Sequence, residues 1–528
     1  MEERKYREMR QAMRVERKTE VRNGIKRGLF ALFAIVVELV WLYVMLRDLT
    51  SNYPWLPALI HTLAFILVLG IYGRHINAAM KMPWIFLIAG VPLFGVPLYL
   101  LIGFNGSTHR MRRRYEKIEE RLFPAMPQQG GILEELETVD YGIANQFRYL
   151  SERLGYPVYR DTDICFYPTA EEAFEAQLAA LQKAERFIFM EYHAIEEKTA
   201  FQRLFEVLSA RAAAGVEVRL FYDDIGSIWF IDNDFIRRME AAGIQTRVFN
   251  PMTPVFNAFL DHRDHRKITV IDGKVGFTGG YNLAEEYFNI THPYGHWFDT
   301  GIRLTGEAVR TFTGIFLENW NAIRGEKNDE EKLEEYLALP DYCAAEAGYC
   351  QPYADSPLDG EQTGENVYMN LVNHAKRYVY FMTPYLIITD EMSQAFCLAA
   401  KRGVDVRIIT PGIPDKKMVY QATRSYYNVL TRAGVRIYEY TPGFMHAKQC
   451  VADDELAVCG TINLDFRSLY HHFENGVLFY RYRAILEMKQ CFEDTFLKCR
   501  EVTAQYHYGR TLFQRAEHCL LRLISPLL

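Results

Sequence analysis

Two short motifs of reactive side chains recur in this sequence. The first is His265-Arg-Lys267, then Asp272, then Gly279-Gly280-Tyr-Asn282. The second is His446-Ala-Lys448, then Asp453, then Gly460-Thr461-Ile-Asn463. In both, the asparagine follows the histidine by 17 positions. One such match in a random chain of 528 residues has odds on the order of 10⁻⁴ at average composition, so two in the same register are not coincidence. A strand sets residues i and i+2 on one face. His265 and Lys267 then point one way, as do His446 and Lys448, while Arg266 and Ala447 point elsewhere. If the two copies pack about a pseudo-two-fold axis, one cleft receives two imidazoles, two ammonium groups and the carboxamides of Asn282 and Asn463.

That set suits a phosphodiester. Lysines and amides neutralise and hydrogen-bond the non-bridging oxygens, most strongly as charge develops. One imidazole attacks phosphorus; the other protonates the leaving alkoxide and later deprotonates an incoming alcohol. No metal or cofactor is required, because the lysines supply the positive charge. Each histidine needs a partner on its second ring nitrogen. Asp299 in HWFDTG and Glu474 in HHFENG, each downstream of a motif, are the candidates. Asp272 and Asp453 complete the catalytic motifs, with loop and turn support as their bland role.

The elements that must carry these residues alternate. Arg186–Tyr192, Val216–Tyr222, Lys267–Ile271 and Val275–Thr278 read as strands, and Ala173–Ala184 and Ala200–Ala214 as helices. The charged run Gly325–Glu335 reads as a solvated helix or linker. The alternation then restarts with strands at Tyr378–Thr383, Val404–Thr410, Arg436–Tyr440, Gln449–Ala452 and Leu456–Cys459. The expected fold class is α/β, as two halves. Expected boundaries are 140–328 and 346–505 for the halves, with 329–345 as linker.

The N-terminal part differs. Residues 1–27 carry ten Lys/Arg. The apolar stretches Gly28–Leu46, Trp55–Tyr72 and Pro83–Gly103 follow, each long enough to cross ~30 Å of hydrocarbon. Residues 28–104 are therefore expected to form two or three transmembrane helices, with 105–139 a basic linker. Basic residues on both flanks conflict with three full crossings. Either the third stretch, with Pro92 and Pro97, is re-entrant or shallow, or the first does not cross. Residues 506–528 read as an amphipathic tail, either an interfacial helix or a helix docked on the core. The net charge of -6 offers no global basic field, which counts against nucleic acid as a partner. Nine scattered cysteines without a C-x-x-C exclude a disulfide framework or zinc ribbon.

The duplicated H-x-K-x4-D motif resembles the phospholipase D superfamily. YDDIGS (222–227), DHRKITVIDGKVGFTGGYNLAEEY (264–287), TPYLI (383–387), RGVDVRIITPGIPDKK (402–417), YTPGFMHAK (440–448) and GTINLDFRSLYHHFENG (460–476) resemble its bacterial cardiolipin synthases. The resemblance covers residues from about 80 to 528, and Thr461 stands where the superfamily often has Ser. It implies two α/β/α sandwich domains in pseudo-two-fold arrangement behind N-terminal transmembrane helices. It implies His265 as nucleophile and His446 as general acid/base, with the two interchangeable. Lys267, Lys448, Asn282 and Asn463 would bind phosphate, and Asp299 and Glu474 would orient the histidines. The implied reaction transfers a phosphatidyl group between two phosphatidylglycerol molecules, giving cardiolipin and glycerol. The alternatives are hydrolysis, or transfer to another alcohol. The expected location is the cell membrane, multi-pass, with the site at the cytoplasmic leaflet.

Overall fold

A computed structural model describes residues 51–103, 106–252, 261–323, 329–508 and 511–527, with scattered positions from 33 to 49. The basic segment 1–27 and most of the first apolar stretch lie outside the described residues. The second stretch is helix Leu56–Tyr72, of 17 residues. The third is not one helix. It divides into Ala78–Gly90 and Pro92–Gly103, because a residue before proline avoids the helical region and Val91 sits at φ -136°. The three helices share a small core of Ile60, Ala64, Ile71, Ile88, Val96 and Tyr99. Phe65, Ile66, Leu69 and Phe86 stay exposed. Among the described residues no helix is long and apolar enough to cross a membrane.

The expected basic linker is folded. Helix Gly106–Leu122 packs on helix Val309–Ile323, where the buried Tyr115 hydroxyl donates to Asn319 Oδ1 at 2.7 Å. The run after Gly325 is anchored at its far end. Asp329 receives a two-pronged bond from buried Arg219 at 2.7 and 2.9 Å, and Tyr336 is buried.

The two halves repeat one sheet. The first has strand order 162–167, 301–306, 275–279, 267–271, 187–192, 217–223, 244–249. The second runs 349–355, 472–480, 456–460, 449–452, 378–382, 405–411, 436–440, with 499–501 added at the edge. In each, the motif strand lies antiparallel between 187–192 and 275–279, or between 378–382 and 456–460. The two-fold repetition inferred from the motifs is thus a repetition of topology. Helices such as Ala170–Leu181, Thr199–Ala213 and Asp390–Lys401 cover the sheets.

The halves are tied by two short parallel pairings. Arg263–Asp264 pairs with His472–Phe473, and Gly443–Met445 pairs with His296–Phe298. Gly443 permits the second, since a Cβ there would meet His296 O at 2.1 Å. Below the first lies Arg266, fully buried, bonded to Glu474 O at 3.2 Å and Glu318 Oε2 at 3.1 Å. Burial pushes nearby Glu191 up to about 7, and Arg266 opposes the shift. Replacing Arg266 by Met should strand these carboxylates at a cost of about 3–5 kcal/mol. Thermal unfolding of the detergent-solubilised chain should then shift down by on the order of 10 °C, more at higher pH where the acids ionise. An unchanged transition would show that the cluster does not need its cation.

Candidate active site

The motif histidines do not sit inside the motif strands. Strand Lys267–Ile271 begins two residues after His265, and Gln449–Ala452 begins three after His446. Each histidine occupies the link between a short pairing strand and a central strand. Its backbone is fixed by the opposite half: His265 N donates to Phe473 O and His446 N to Phe298 O, both at 2.8 Å. The side chains still converge as strand periodicity suggested, for a local reason. Lys267 Nζ folds back to His265 O at 2.6 Å, and Lys448 Nζ folds back to His446 O. Arg266 points away, into the buried acid cluster.

The acids are crossed. Along the chain, each acid lies downstream of its own motif. In space, His265 Nδ1 lies 2.9 Å from both carboxylate oxygens of Glu474. His446 Nδ1 lies 2.6 Å from Asp299 Oδ2. A carboxylate on Nδ1 fixes the tautomer and leaves Nε2 as the lone-pair nitrogen, which in His446 lies 2.9 Å from Lys448 Nζ. Glu474 also accepts from Thr461 Oγ1 at 2.5 Å and Ser468 Oγ at 2.6 Å, so the threonine hydroxyl performs a defined task. Gly280 makes room for Asp299, since a Cβ there would meet Asp299 Oδ1 at 2.1 Å.

His265, His446, Asn282 and Asn463 line one cavity of about 350 Å³. Asn463 Oδ1 is buried without a hydrogen-bond partner among the described residues. Asn282 is engaged within the protein, accepting from Ala194 N at 3.1 Å and donating to the Tyr287 hydroxyl at 2.8 Å. Asp272 and Asp453 are not among the lining residues, contrary to their place in the catalytic motif. Asp272 accepts from the amides of Glu185, Arg186 and Phe187 at 2.7–2.9 Å. Asp453 accepts from Lys376, Arg377 and Tyr378 at 2.7–3.0 Å. Both have positive φ, 54° and 56°. Each ends its motif strand in a tight turn and fastens the next strand, which is the work of an Asx side chain.

Sequence reasoning missed several lining residues. His193 lies with its ring centroid 5.0 Å from that of His265, and its Nδ1 is 2.7 Å from Asp264 O. It directly follows strand Phe187–Tyr192, at the carboxyl end where ligands of α/β sheets gather. That position was the available signal. His472, at 5.4 Å from His265, Lys416 and Arg467 also line the cavity. His265, His472 and Glu474 bring donor atoms within 4.8 Å of one another. As a cation site this set is poor, because Glu474 already accepts from His265, Thr461 and Ser468.

Arg263, Lys416 and Arg467 line the cavity together with Asp415 and Asp465, and Lys267 and Lys448, which are not lining residues, are buried beside the motif histidines. Burial, then Lys267 and Lys448, hold His265 well below the ordinary imidazole range. Burial and the same two lysines do so for His446. Burial lowers Lys267 to about 8 and Lys448 to about 7, opposed by Glu474 and Asp299 respectively. Burial raises Asp299 to about 6. An entering anion should reverse the lysine shifts. At pH 8 sulfate, which does not titrate there, should bind with uptake of on the order of one proton. Calorimetry in buffers of different ionisation enthalpy reads this directly, and the uptake should shrink in Lys448→Met. Binding without uptake would show both ammonium groups already charged in the empty cavity.

Comparisons with known proteins place this geometry. The family described as "Cardiolipin synthase, PLD-like domain" matches residues 178–314 and 368–496, one match per half. The chain is 38% identical over 461 residues to an uncharacterized protein of Streptococcus mutans, covering 87% of this chain and 99% of that one. It is 34% identical over 465 residues to the cardiolipin synthase of Geobacillus kaustophilus, covering 88% of this chain and 91% of that one. Among solved structures, phosphatidylserine synthase of Haemophilus influenzae superposes with a TM-score of 0.53 at 14% identity. That match covers 72% of this chain and 97% of the other, and it supports the fold alone. With two family-matched halves and reciprocal histidine–carboxylate pairs around one cavity, this chain belongs to the bacterial cardiolipin synthases of the phospholipase D superfamily.

Proposed function

We propose that the protein is a cardiolipin synthase that transfers a phosphatidyl group from one phosphatidylglycerol to another. The observation that carries this is the meeting, in one cavity, of two imidazoles each backed by a carboxylate of the opposite half. In the first step the Nε2 lone pair of His265 attacks phosphorus. The bond to the glycerol oxygen breaks, and His446, which takes up a second proton as the bound phosphate anion offsets the neighbouring lysines, passes its Nε2 proton to the departing alkoxide. In the second step the hydroxyl of another phosphatidylglycerol gives its proton to His446. Its oxygen attacks phosphorus, and the P–N bond breaks. His265 returns neutral, and cardiolipin leaves. The assignment of His265 as nucleophile is supported by its tighter mooring, with Thr461 and Ser468 holding its Glu474 partner. Lys267, Lys448 and Asn463 bind the non-bridging oxygens. Asn282 serves indirectly, through the Tyr287 hydroxyl beside the cavity. Asp272 and Asp453 brace the motif turns.

The lipid substrate places the enzyme at the cell membrane. The apolar helices from Leu56 to Gly103, with their outward Phe65, Ile66, Leu69 and Phe86, support anchoring there. The break at Val91 favours a re-entrant hairpin for the third stretch, with the catalytic halves, 140–328 and 346–505, at the cytoplasmic leaflet.

Purified enzyme given phosphatidylglycerol as its sole lipid should release glycerol and form cardiolipin. His265→Ala and His446→Ala should each lower turnover by three or more orders of magnitude, on the scale seen when a nucleophile or its acid/base partner is removed. Phosphatidic acid as main product would assign hydrolysis instead, and full activity in either variant would remove the mechanism.

A further inference from the structure

Helix Leu512–Ile524 leaves most of its apolar stripe uncovered. Leu512, Phe513, Ala516, Leu520, Leu523 and Ile524 form one apolar stripe at helical spacing. On a domain surrounded by water, that stripe is the face that docks. Here Leu512, Phe513 and Leu520 are 80%, 87% and 65% exposed. On the opposite side Leu521 is buried and His518 and Arg522 are half-buried, while Gln514 and Glu517, both exposed, border a cleft with Gln421, Arg424 and Tyr506.

The helix is held in this pose by polar contacts. Thr511 and Gln514 cap its start reciprocally, at 3.0 and 3.3 Å. At its other end Arg522 donates to Ser425 O at 3.0 Å, and its guanidinium lies 4.5 Å from the centre of the Tyr426 ring. Leu521 is buried. A bare stripe of three large apolar side chains is unfavourable in water, and at ~1.5 Å per residue the helix is too short to span a bilayer.

Two neighbours indicate what covers the stripe. The helix packs on Ala78–Gly90, part of the apolar hairpin that exposes Phe65, Ile66 and Phe86. The helix thus lies against the same hairpin that carries the other exposed apolar side chains. Beyond the helix, Ser525 forms part of the wall of the catalytic cavity and lies 3.3 Å from the Tyr426 hydroxyl. Arg515 is exposed, and Glu517, also exposed, lies on the other side of the helix beside the cleft with Arg424.

We infer that helix Leu512–Ile524 lies in the headgroup–acyl boundary of an anionic phospholipid bilayer, with Leu512, Phe513 and Leu520 inserted. It thereby holds the cavity wall at Ser525 against the lipid surface. This rests on the reading that membrane phosphatidylglycerol is the substrate, and the test separates the two. A photoreactive benzophenone in place of Phe513 in the full chain, bound to vesicles of equal parts phosphatidylcholine and phosphatidylglycerol, should cross-link to lipid. The same group in place of half-buried His518, on the opposite side, should cross-link within the protein. Cross-linking of the Phe513 position to a second copy of the chain, or to no lipid, overturns the inference whatever the enzyme's activity. In parallel, the Leu512→Ser, Phe513→Ser, Leu520→Ser variant should lose about tenfold or more activity on those vesicles. Its activity on monomeric short-chain phosphatidylglycerol should remain, which also shows that it folds. Equal activity on vesicles contradicts the inference. Failure of the unmodified enzyme on both substrates, with lipid cross-linking intact, contradicts the catalytic reading alone.

Discussion

The structure depends on an exchange. Each histidine is oriented by a carboxylate that belongs to the other half: His265 by Glu474 and His446 by Asp299. The backbone repeats the exchange, because each histidine amide donates to the residue just before that acid. Each motif histidine therefore has its carboxylate partner only once the halves are joined. Docking the halves and building the site are one event, and the duplicated sheet is the means by which one geometry is produced twice and turned to face itself.

This arrangement is costly without substrate. Two histidines line a cavity of about 350 Å³ with two lysines buried beside them, and burial of like charges drives their protons off. The two acids, with the hydroxyls of Thr461 and Ser468, hold the groups in place. A phosphodiester supplies the missing negative charge. The cavity is then complementary to an anion, and more so to the greater charge of the pentacoordinate arrangement at phosphorus, which is the pattern expected of preorganised electrostatic catalysis.

Much of this was legible in the sequence, and the remainder was not for identifiable reasons. Strands Lys267–Ile271, Arg436–Tyr440 and Gln449–Ala452 have the bounds that their apolar runs suggest. Strands Thr162–Tyr167, Tyr349–Asp355 and His472–Tyr480 were not found. They carry Asp163, Pro352 and Glu474, which interrupt the pattern because partners far along the chain satisfy or bypass those groups. The convergence of the two motifs followed from their equal spacing. The crossing of the acids did not, since a local pattern holds no record of pairing between residues 147 or 209 positions apart. The tail's apolar stripe was visible from its period, but its outward orientation was set by Arg522, Tyr426 and Gln514, which pattern alone does not weigh.

The most direct test of the central claim is a rapid-quench experiment with phosphatidylglycerol labelled in its phosphate, followed by peptide mapping. The account predicts an acid-labile, base-stable phosphoramidate on His265 or His446 alone, with both Glu474→Gln and Asp299→Asn lowering its yield because each acid serves the opposite half. Label on any other residue, or a normal yield when the acid of the opposite half is neutralised, would contradict it.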